Sequence, residues 1–193
     1  DVGCGGGLLC EPLARRGARV TGIDAAIGNV AAARLHAEQH GVAVEYRSGE
    51  PNTALRSRER FDVVLLLEVV EHVRDVGAFV AAAARHVAPG GLLVASTIDR
   101  TWKSFVFAIV GAEYLLRVLP RGTHRWRKFV RPAELAGALG RAGFVRTDLR
   151  GMRYLPVVHR ASWVRDTSVN YIAAFARTDG PTQAPAPASL QGV

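Results

Sequence analysis

The sequence lacks most features of secreted, fibrous and membrane-spanning proteins. Its 193 residues include only two cysteines, Cys4 and Cys10, whose spacing in a glycine-rich stretch suits neither a zinc site nor a secreted disulfide framework. We therefore expect both to be reduced packing residues of a cytoplasmic protein. The chain opens at Asp1 without a methionine or an apolar signal segment. We expect the upstream residues, including any targeting region and the start of the first strand, to be missing.

The rest of the composition is that of an ordinary globular domain. Hydrophobic residues make up 49% of the chain and charged residues 22%, which excludes a collagen, a disulfide miniprotein and a mostly disordered chain. Residues 178–193 are rich in Pro, Ala, Gln and Ser and show no apolar period. We predict one domain over residues 1–177, with a basic, apolar insertion at 101–131, and a disordered tail after it.

Strand-like apolar segments alternate with helical patterns along the chain. The predicted strands are 19–23, 42–46, 61–67, 92–98, 144–150 and 169–177, and the predicted helices are 8–16, 29–40, 78–87 and 132–142. This alternation predicts an α/β fold with a doubly wound, mostly parallel, Rossmann-like sheet, whose first strand is truncated and whose last strand is antiparallel. The run 63–67 is apolar at every position, which suits a strand buried on both faces. Ligands of such sheets bind beyond the carboxyl ends of the strands.

A glycine-rich loop follows the first predicted strand. Asp1-x-Gly3-x-Gly5-x-Gly7 would open the first helix, where bare backbone and unpaired N–H groups can meet a ligand. Asp24 ends the next strand and could accept hydrogen bonds from ribose hydroxyls. A dinucleotide loop would need glycine where Leu8 stands, so the spacing favours S-adenosylmethionine over NAD. The alternative is a tight turn that holds no ligand.

A second polar cluster follows the strand 61–67. Glu68, Glu71 and His72 are spaced to face one side of a helical turn. Two carboxylates suit Mg²⁺, for which an imidazole is an atypical ligand, so His72 is either a metal ligand or a general base. The alternative is structural: Glu68 caps the turn, Glu71 is solvated and His72 packs locally.

The formal net charge of +8 is unevenly distributed. Residues 1–98 contain 10 Lys+Arg and 11 Asp+Glu, whereas residues 99–193 contain 15 and 6. The excess flanks an apolar stretch at 102–120, interrupted by Glu113 and Arg117 and too short to span a bilayer. We predict that 102–131 rests on an anionic membrane surface. The alternative is a lid helix buried on the sheet; a nucleic-acid partner is not favoured.

Several motifs together closely resemble the O-methyltransferase family of ubiquinone biosynthesis. They lie at 1–7, 20–24, 68–73, 110–114, 121–124, 128–129, 132–135 and 169–171. The glycine loop and the Glu-Val-Val-Glu-His-Val segment are shared by many class I methyltransferases. Val-Gly-Ala-Glu-Tyr at 110–114 and Gly-Thr-His at 122–124 are more particular to this family. The sequence departs from the family at Leu155, where Asn is usual.

The resemblance implies an enzyme that methylates ring hydroxyls of polyprenyl catechol and demethylubiquinol intermediates, with S-adenosylmethionine as donor. By position, Asp1, Gly3, Gly5, Asp24 and Leu67 would bind the donor. Glu68, Glu71 and His72 match positions described as Mg²⁺ ligands in relatives, and we assign Glu71 and His72 the catalytic roles.

The same resemblance implies a protein at the inner face of a bacterial-type membrane, with other ubiquinone-biosynthesis enzymes as candidate partners. Three alternative functions stay open at this point. They are an RNA methyltransferase, a methyltransferase of other small molecules, and a non-catalytic lipid-binding module that kept the fold.

Overall fold

The computed structural model describes residues 1–101, 129–155 and 160–178. The strands within these ranges are β1 Thr21–Asp24, β2 Glu45–Ser48, β3 Phe61–Leu67, β4 Val87–Ile98, β5 Phe144–Leu155, β6 Arg160–Val164 and β7 Asn170–Arg177. The helices are α1 Cys10–Arg15, α2 Ile27–Gln39, α3 Pro51–Ala54, α4 Val76–Ala84 and α5 Pro132–Arg141.

The strands form one mixed sheet through Val2. β1 and β2 pair in parallel, and a second set follows the order β3-β4-β7-β5-β6. Val2 forms a parallel bridge with Ile23, and its N–H donates to the Leu65 carbonyl at 2.9 Å, so the start of the chain lies between β1 and β3. This arrangement confirms the predicted doubly wound α/β fold.

The antiparallel part of the sheet is larger than a single last strand. β3 and β4 are parallel, whereas β7 runs antiparallel to both β4 and β5, and β5 runs antiparallel to β6. The sequence pattern missed β6 and the second half of β5. These two segments form a hairpin, and each is identified by its partner rather than by its own apolar pattern.

Several boundaries differ from the predicted ones because of backbone hydrogen bonds. β4 begins at Val87, which pairs with Phe61, although Pro89-Gly90-Gly91 predicted a break there. The predicted strand 42–46 starts later, at Glu45, because the Val42 N–H still donates to Ala37 at the end of α2. The strand β3 is not buried on both faces: Val64 and Leu66 are buried, but Val63 is 48% exposed.

The carboxyl ends of β1, β3 and β4 meet at one edge of the sheet, above a common core. Leu66 of β3, Leu93 of β4 and Phe175 of β7 are fully buried in that core. α4 and α5 pack on the same core through Val80 and Leu135. The glycine loop and the Glu68–His72 turn therefore project from a rigid base.

The predicted insertion at 101–131 lies outside the described residues except for Thr101 and residues 129–131, and so do its family motifs. The predicted tail lies outside them except for Thr178. In the described parts of the chain, no helix is both long enough and apolar enough to cross a bilayer.

An ion pair beside α3 makes stability depend on pH. Arg47 donates to both oxygens of Glu59 at 2.8 Å and, together with the Arg56 backbone N–H, lowers the pKa of Glu59 to about 2. A folded-state pKa below the ordinary value of about 4.3 stabilises the fold above that pH, and the gain is lost as the pH falls toward 2. We expect the free energy of unfolding to fall by about 1 kcal/mol over this window.

Urea unfolding between pH 5 and 2.5 measures this dependence. Glu59→Gln should remove this part of the pH slope. Glu45→Gln should keep most of it, because Glu45 contacts Arg47 from a side chain that is 60% exposed. Equal slopes in wild type and Glu59→Gln would show that the pair does not contribute.

Candidate functional site

The glycine loop is closely packed on one side. Gly3 and Gly7 have φ of 79° and 83°, which favour glycine. A Cβ at Gly3 would lie 2.6 Å from Cγ2 of Val69, and one at Gly7 would collide with the Tyr46 hydroxyl. Nothing lies within 4 Å of the Cβ positions of Gly5 and Gly6, so that part of the loop is open to a ligand.

Asp24 connects the glycine loop to α2. Its Oδ2 accepts the Gly5 N–H at 2.9 Å, and its Oδ1 accepts the Ala26 N–H at 2.8 Å and Nδ2 of Asn29 at 3.2 Å. A carboxylate has about four acceptor positions, so Asp24 can still accept a hydrogen bond from a ligand at the loop. The sequence predicted the ligand role of Asp24 but not its three internal bonds.

Asp1 and Cys4 of the loop lie close to Cys10, the first residue of α1. The Cys10 thiol donates to Oδ2 of Asp1 at 3.4 Å, and both cysteines are free and buried. The hydrogen bond with Cys4, together with burial, raises the pKa of Cys10 well above its usual range. The Cys10 thiol is therefore protonated and packs as a small apolar group, as predicted from the sequence.

Glu68 follows the last residue of β3, the half-buried Leu67, in an unusual backbone conformation. Its φ is 52°, in the left-handed region that residues other than glycine rarely adopt. The Glu68 N–H donates to the Ser96 carbonyl at 3.0 Å, and the Ser96 hydroxyl donates to Oε1 of Glu68 at 2.6 Å. Both bonds come from the adjacent end of β4 and hold the turn against its backbone preference.

Glu71 is the buried member of the second cluster. It is 5% exposed, and its Oε2 accepts the Thr97 hydroxyl at 2.7 Å. Asp99, two residues further along, is also buried, and burial raises the pKa of its carboxyl. Burial also raises the pKa of Tyr171, the partner of Thr97 across β4 and β7, and the nearby carboxylates add to that shift.

The structure does not gather Glu68, Glu71 and His72 around one point. Their carboxylate oxygens and imidazole nitrogens do not all lie within 4.8 Å of one another. Among the described residues, one other group of three acidic and histidine side chains meets that distance. Glu71 points to Thr97 in the interior, whereas His72 is exposed on the turn. The three residues as placed here do not fit a single Mg²⁺ ion, so their grouping as metal ligands stays a sequence prediction.

Comparison with known proteins supplies the family. A family model described as a methyltransferase domain matches residues 1–149. The ubiquinone biosynthesis O-methyltransferase of Azorhizobium caulinodans is 56% identical over 173 residues, covering 89% of this chain and 68% of its own. The same-named protein of a Methylobacterium species is 54% identical over 177 residues, covering 92% of this chain and 71% of its own.

The chain belongs to the ubiquinone biosynthesis O-methyltransferase family. It is thus an S-adenosylmethionine-dependent methyltransferase, as the sequence motifs predicted.

Solved structures agree on the fold of this family member. The magnesium protoporphyrin IX methyltransferase of Synechocystis PCC 6803, solved with bound SAH, aligns with a TM-score of 0.67 and 22% identity over 92% of this chain and 72% of its own. A methyltransferase from Methanosarcina mazei aligns with a TM-score of 0.68 and 16% identity, covering 92% and 90%. At these identities the likeness shows the fold alone.

Sequence reasoning missed the β4 residues that hold the methyltransferase's two carboxylates. Ser96 and Thr97 end β4, next to the turn that follows β3. Like Glu68, they are polar residues at the carboxyl end of a parallel strand, where ligands of such sheets bind. The same criterion, applied to β3 and β4 together, predicts that Ser96 lies near Glu68 and Thr97 near Glu71.

The two hydroxyl–carboxylate pairs should differ in their effect on stability. Thr97→Val keeps the shape but leaves the buried Glu71 carboxylate without the Thr97 hydroxyl, at a cost of about 1–3 kcal/mol. Ser96→Ala should cost less, because the Glu68 side chain is exposed to water. Thermal unfolding of the two variants measures the difference, and equal losses would contradict the burial argument.

Proposed function

We propose that this methyltransferase acts on ring hydroxyls of polyprenyl catechol and demethylubiquinol intermediates. Relatives that are 54–56% identical to this chain are ubiquinone biosynthesis O-methyltransferases, which supports this substrate class. The relative placement of donor and acceptor rests on the close packing of Gly3 against Val69, since a Cβ at Gly3 would lie 2.6 Å from Cγ2 of Val69. Val69 belongs to the Glu68–His72 turn, so the donor loop and the candidate acceptor site touch. A methyl group bound at the loop can face an oxygen bound at the turn without either partner leaving the sheet edge.

Several residues around the loop support the donor site. Asp24 would accept a ribose hydroxyl, Gly3 and Gly5 would admit the ligand to the backbone, and Asp1 and Leu67 border the same edge. Ile27, three residues after Asp24, is 74% exposed and offers an apolar surface to the adenine ring of the donor. S-adenosylmethionine, when bound, supplies a methyl group on a sulfonium, which an oxygen nucleophile can attack in line.

The acceptor must lose a proton as its oxygen forms the new bond. A phenol has a pKa near 10 and is mostly protonated at neutral pH. The oxygen electron pair forms the O–C bond, the C–S bond breaks with its pair going to sulfur, and the phenol proton passes to a base. We assign that base to His72, because imidazole is the usual general base near neutral pH. Glu71, whose Oε2 accepts the Thr97 hydroxyl, would contribute through the negative charge that it adds to the turn carrying His72.

Methyl incorporation from labelled S-adenosylmethionine tests the substrate class. We expect label in a prenylated catechol and none in its fully O-methylated analogue, which keeps the tail but has no free hydroxyl. Label in RNA instead would favour the nucleic-acid alternative. Binding of the prenylated lipid without any transfer would favour a lipid-binding module. Either result would overturn the proposed function.

Magnesium bound by Glu68, Glu71 and His72 stays a separate prediction from the sequence. Carboxylates are the ligands that Mg²⁺ prefers, and chelation of two adjacent ring oxygens would lower the cost of deprotonation. The proton transfer to His72 described above is written without an ion, and the three side chains do not converge in this structure. An assay with added Mg²⁺ and then with chelator separates the two versions. Full rate in chelator would exclude the metal.

We also propose that residues 102–131 dock on an anionic membrane, so that the polyprenyl tail stays out of water. The basic residues that flank the apolar stretch support this, as does its aromatic content. Flotation with vesicles rich in anionic lipid should recover the protein, and reversing the charges of Arg121, Arg125 and Arg127 should reduce recovery. If recovery changes neither with the lipid charge nor with these reversals, the proposed electrostatic contribution to membrane binding would be contradicted.

A further inference from the structure

We propose a binding site for a divalent transition metal, Zn²⁺ in particular, between α1 and α2. The site consists of Glu11, His36 and His40. It lies apart from the Glu68–His72 turn and does not depend on the proposed function. One atom from each of the three residues, an imidazole nitrogen or a carboxylate oxygen, lies within 4.8 Å of the other two.

His36 lies in the last turn of α2, and His40 directly follows the helix, one turn further along. Residues at this spacing share one face of a helix, and the His36 and His40 rings lie with their centroids 4.2 Å apart. Glu11 on α1 reaches the same place, with its Oε1 2.6 Å from Nδ1 of His36. Ligands from two elements therefore meet at one point, which a local i,i+4 pair on its own would not provide.

The hydrogen bonds of His36 and His40 indicate which ring nitrogens could bind a metal. Nδ1 of His40 lies 2.8 Å from the His36 carbonyl, which can only accept, so Nδ1 carries the proton and Nε2 of the neutral ring carries the lone pair. Metal-bound histidines commonly show this bond from the second nitrogen to a backbone carbonyl. Oε1 of Glu11 lies 2.6 Å from Nδ1 of His36, so an ion bound between these two atoms would replace their hydrogen bond and take both as ligands.

The burial of Glu11 favours a cation at this point. Its side chain is 8% exposed, whereas the His36 side chain is 56% exposed. A carboxylate removed from water is costly unless a positive charge or hydrogen-bond donors compensate it. The hydrogen bond to His36 compensates one oxygen of this carboxylate, and the exposed imidazoles leave a route from solvent for an ion that would take the place of that bond.

The ligand set selects the type of metal. Two imidazoles and one carboxylate with room for water form a set that Zn²⁺ commonly accepts, whereas Mg²⁺ and Ca²⁺ prefer oxygen ligands alone. The ion would connect α1, which follows the glycine loop, to α2, which follows Asp24. Bound Zn²⁺ should therefore stabilise the folded state.

Calorimetric titration of the purified full chain with Zn²⁺, combined with thermal unfolding, tests the site. We expect one saturable Zn²⁺ site, with an affinity that excess Mg²⁺ does not change, and a higher unfolding temperature with Zn²⁺. His40→Ala removes an exposed ligand without disturbing the core and should weaken binding at least about tenfold. Glu11→Gln should also weaken it.

Two control variants locate the ion. Glu38→Gln removes the same charge as Glu11→Gln from an exposed position on α2, and it should leave Zn²⁺ affinity unchanged. His72→Ala should also leave it unchanged. Affinity lost in His72→Ala but kept in His40→Ala would place the ion at the other cluster and overturn the proposal. Absence of saturable Zn²⁺ binding by the wild-type chain would overturn it as well.

Discussion

Replacing Asp24 by alanine should lower the affinity for S-adenosylmethionine by about 100-fold or more. The change removes a charged acceptor for the ribose, worth about 1.5–3 kcal/mol. It also releases the Gly5 and Ala26 N–H groups that shape the donor loop. The lost ribose acceptor and the less ordered loop both weaken binding of the donor. Affinity should therefore fall further than it would if Asp24 contacted only the ribose.

Calorimetric titration with S-adenosylmethionine measures this effect. Asp62→Ala is the matched control, because Asp62 is an exposed aspartate near the opposite, amino end of β3. Its affinity should equal that of wild type. A folded Asp24→Ala protein that binds S-adenosylmethionine within about threefold of wild type would show that the donor does not use this carboxylate.

Replacing Gly3 by alanine should destabilise the protein by about 2–5 kcal/mol. A side chain at φ 79° costs about 1–2 kcal/mol. The new Cβ would also lie 2.6 Å from Val69, and such overpacking costs about 1–3 kcal/mol. The loop and the Glu68–His72 turn should move apart, so methyl transfer should fall even where the chain still folds.

Two further variants separate the causes. Gly6→Ala places its Cβ in open space without a positive φ and should change stability by less than about 0.5 kcal/mol. The double variant Gly3→Ala/Val69→Ala removes the 2.6 Å approach to Cγ2 but keeps the Cβ of residue 69 at 2.9 Å and the backbone strain, so it should recover only part of the transfer rate. Urea unfolding supplies the free energies. Equal stability of Gly3→Ala and Gly6→Ala would contradict the packing described here.

The fold was predictable where the local sequence alone favours one secondary structure. β3 matches its predicted bounds because a run of apolar residues fits a central parallel strand. α5 matches to one residue because Pro132 begins it and Gly143 follows its end. The hairpin of β5 and β6 was not predictable in this way, since its segments lack apolar alternation and pair only in three dimensions.

The candidate site was predictable by residue but not by arrangement. The spacing of Gly3, Gly5 and Asp24 follows from what a nucleotide ligand requires of a backbone and an acceptor. The spacing of Glu68, Glu71 and His72 suggested one shared face, as on a helix. The turn is not a helix: Glu68 adopts a left-handed conformation, and the hydroxyls of β4 draw the two carboxylates toward the sheet. Those hydroxyls lie more than 25 residues away in sequence.

A crystal structure of the protein with SAH and a catechol tests the central claim most directly, because it locates donor and acceptor together. We expect a ribose hydroxyl within hydrogen-bond distance of Asp24, about 2.7–3.2 Å. We also expect the SAH sulfur to face a ring hydroxyl held at the Glu68–His72 turn. A ribose bound away from Asp24, or a catechol bound away from that turn, would contradict it.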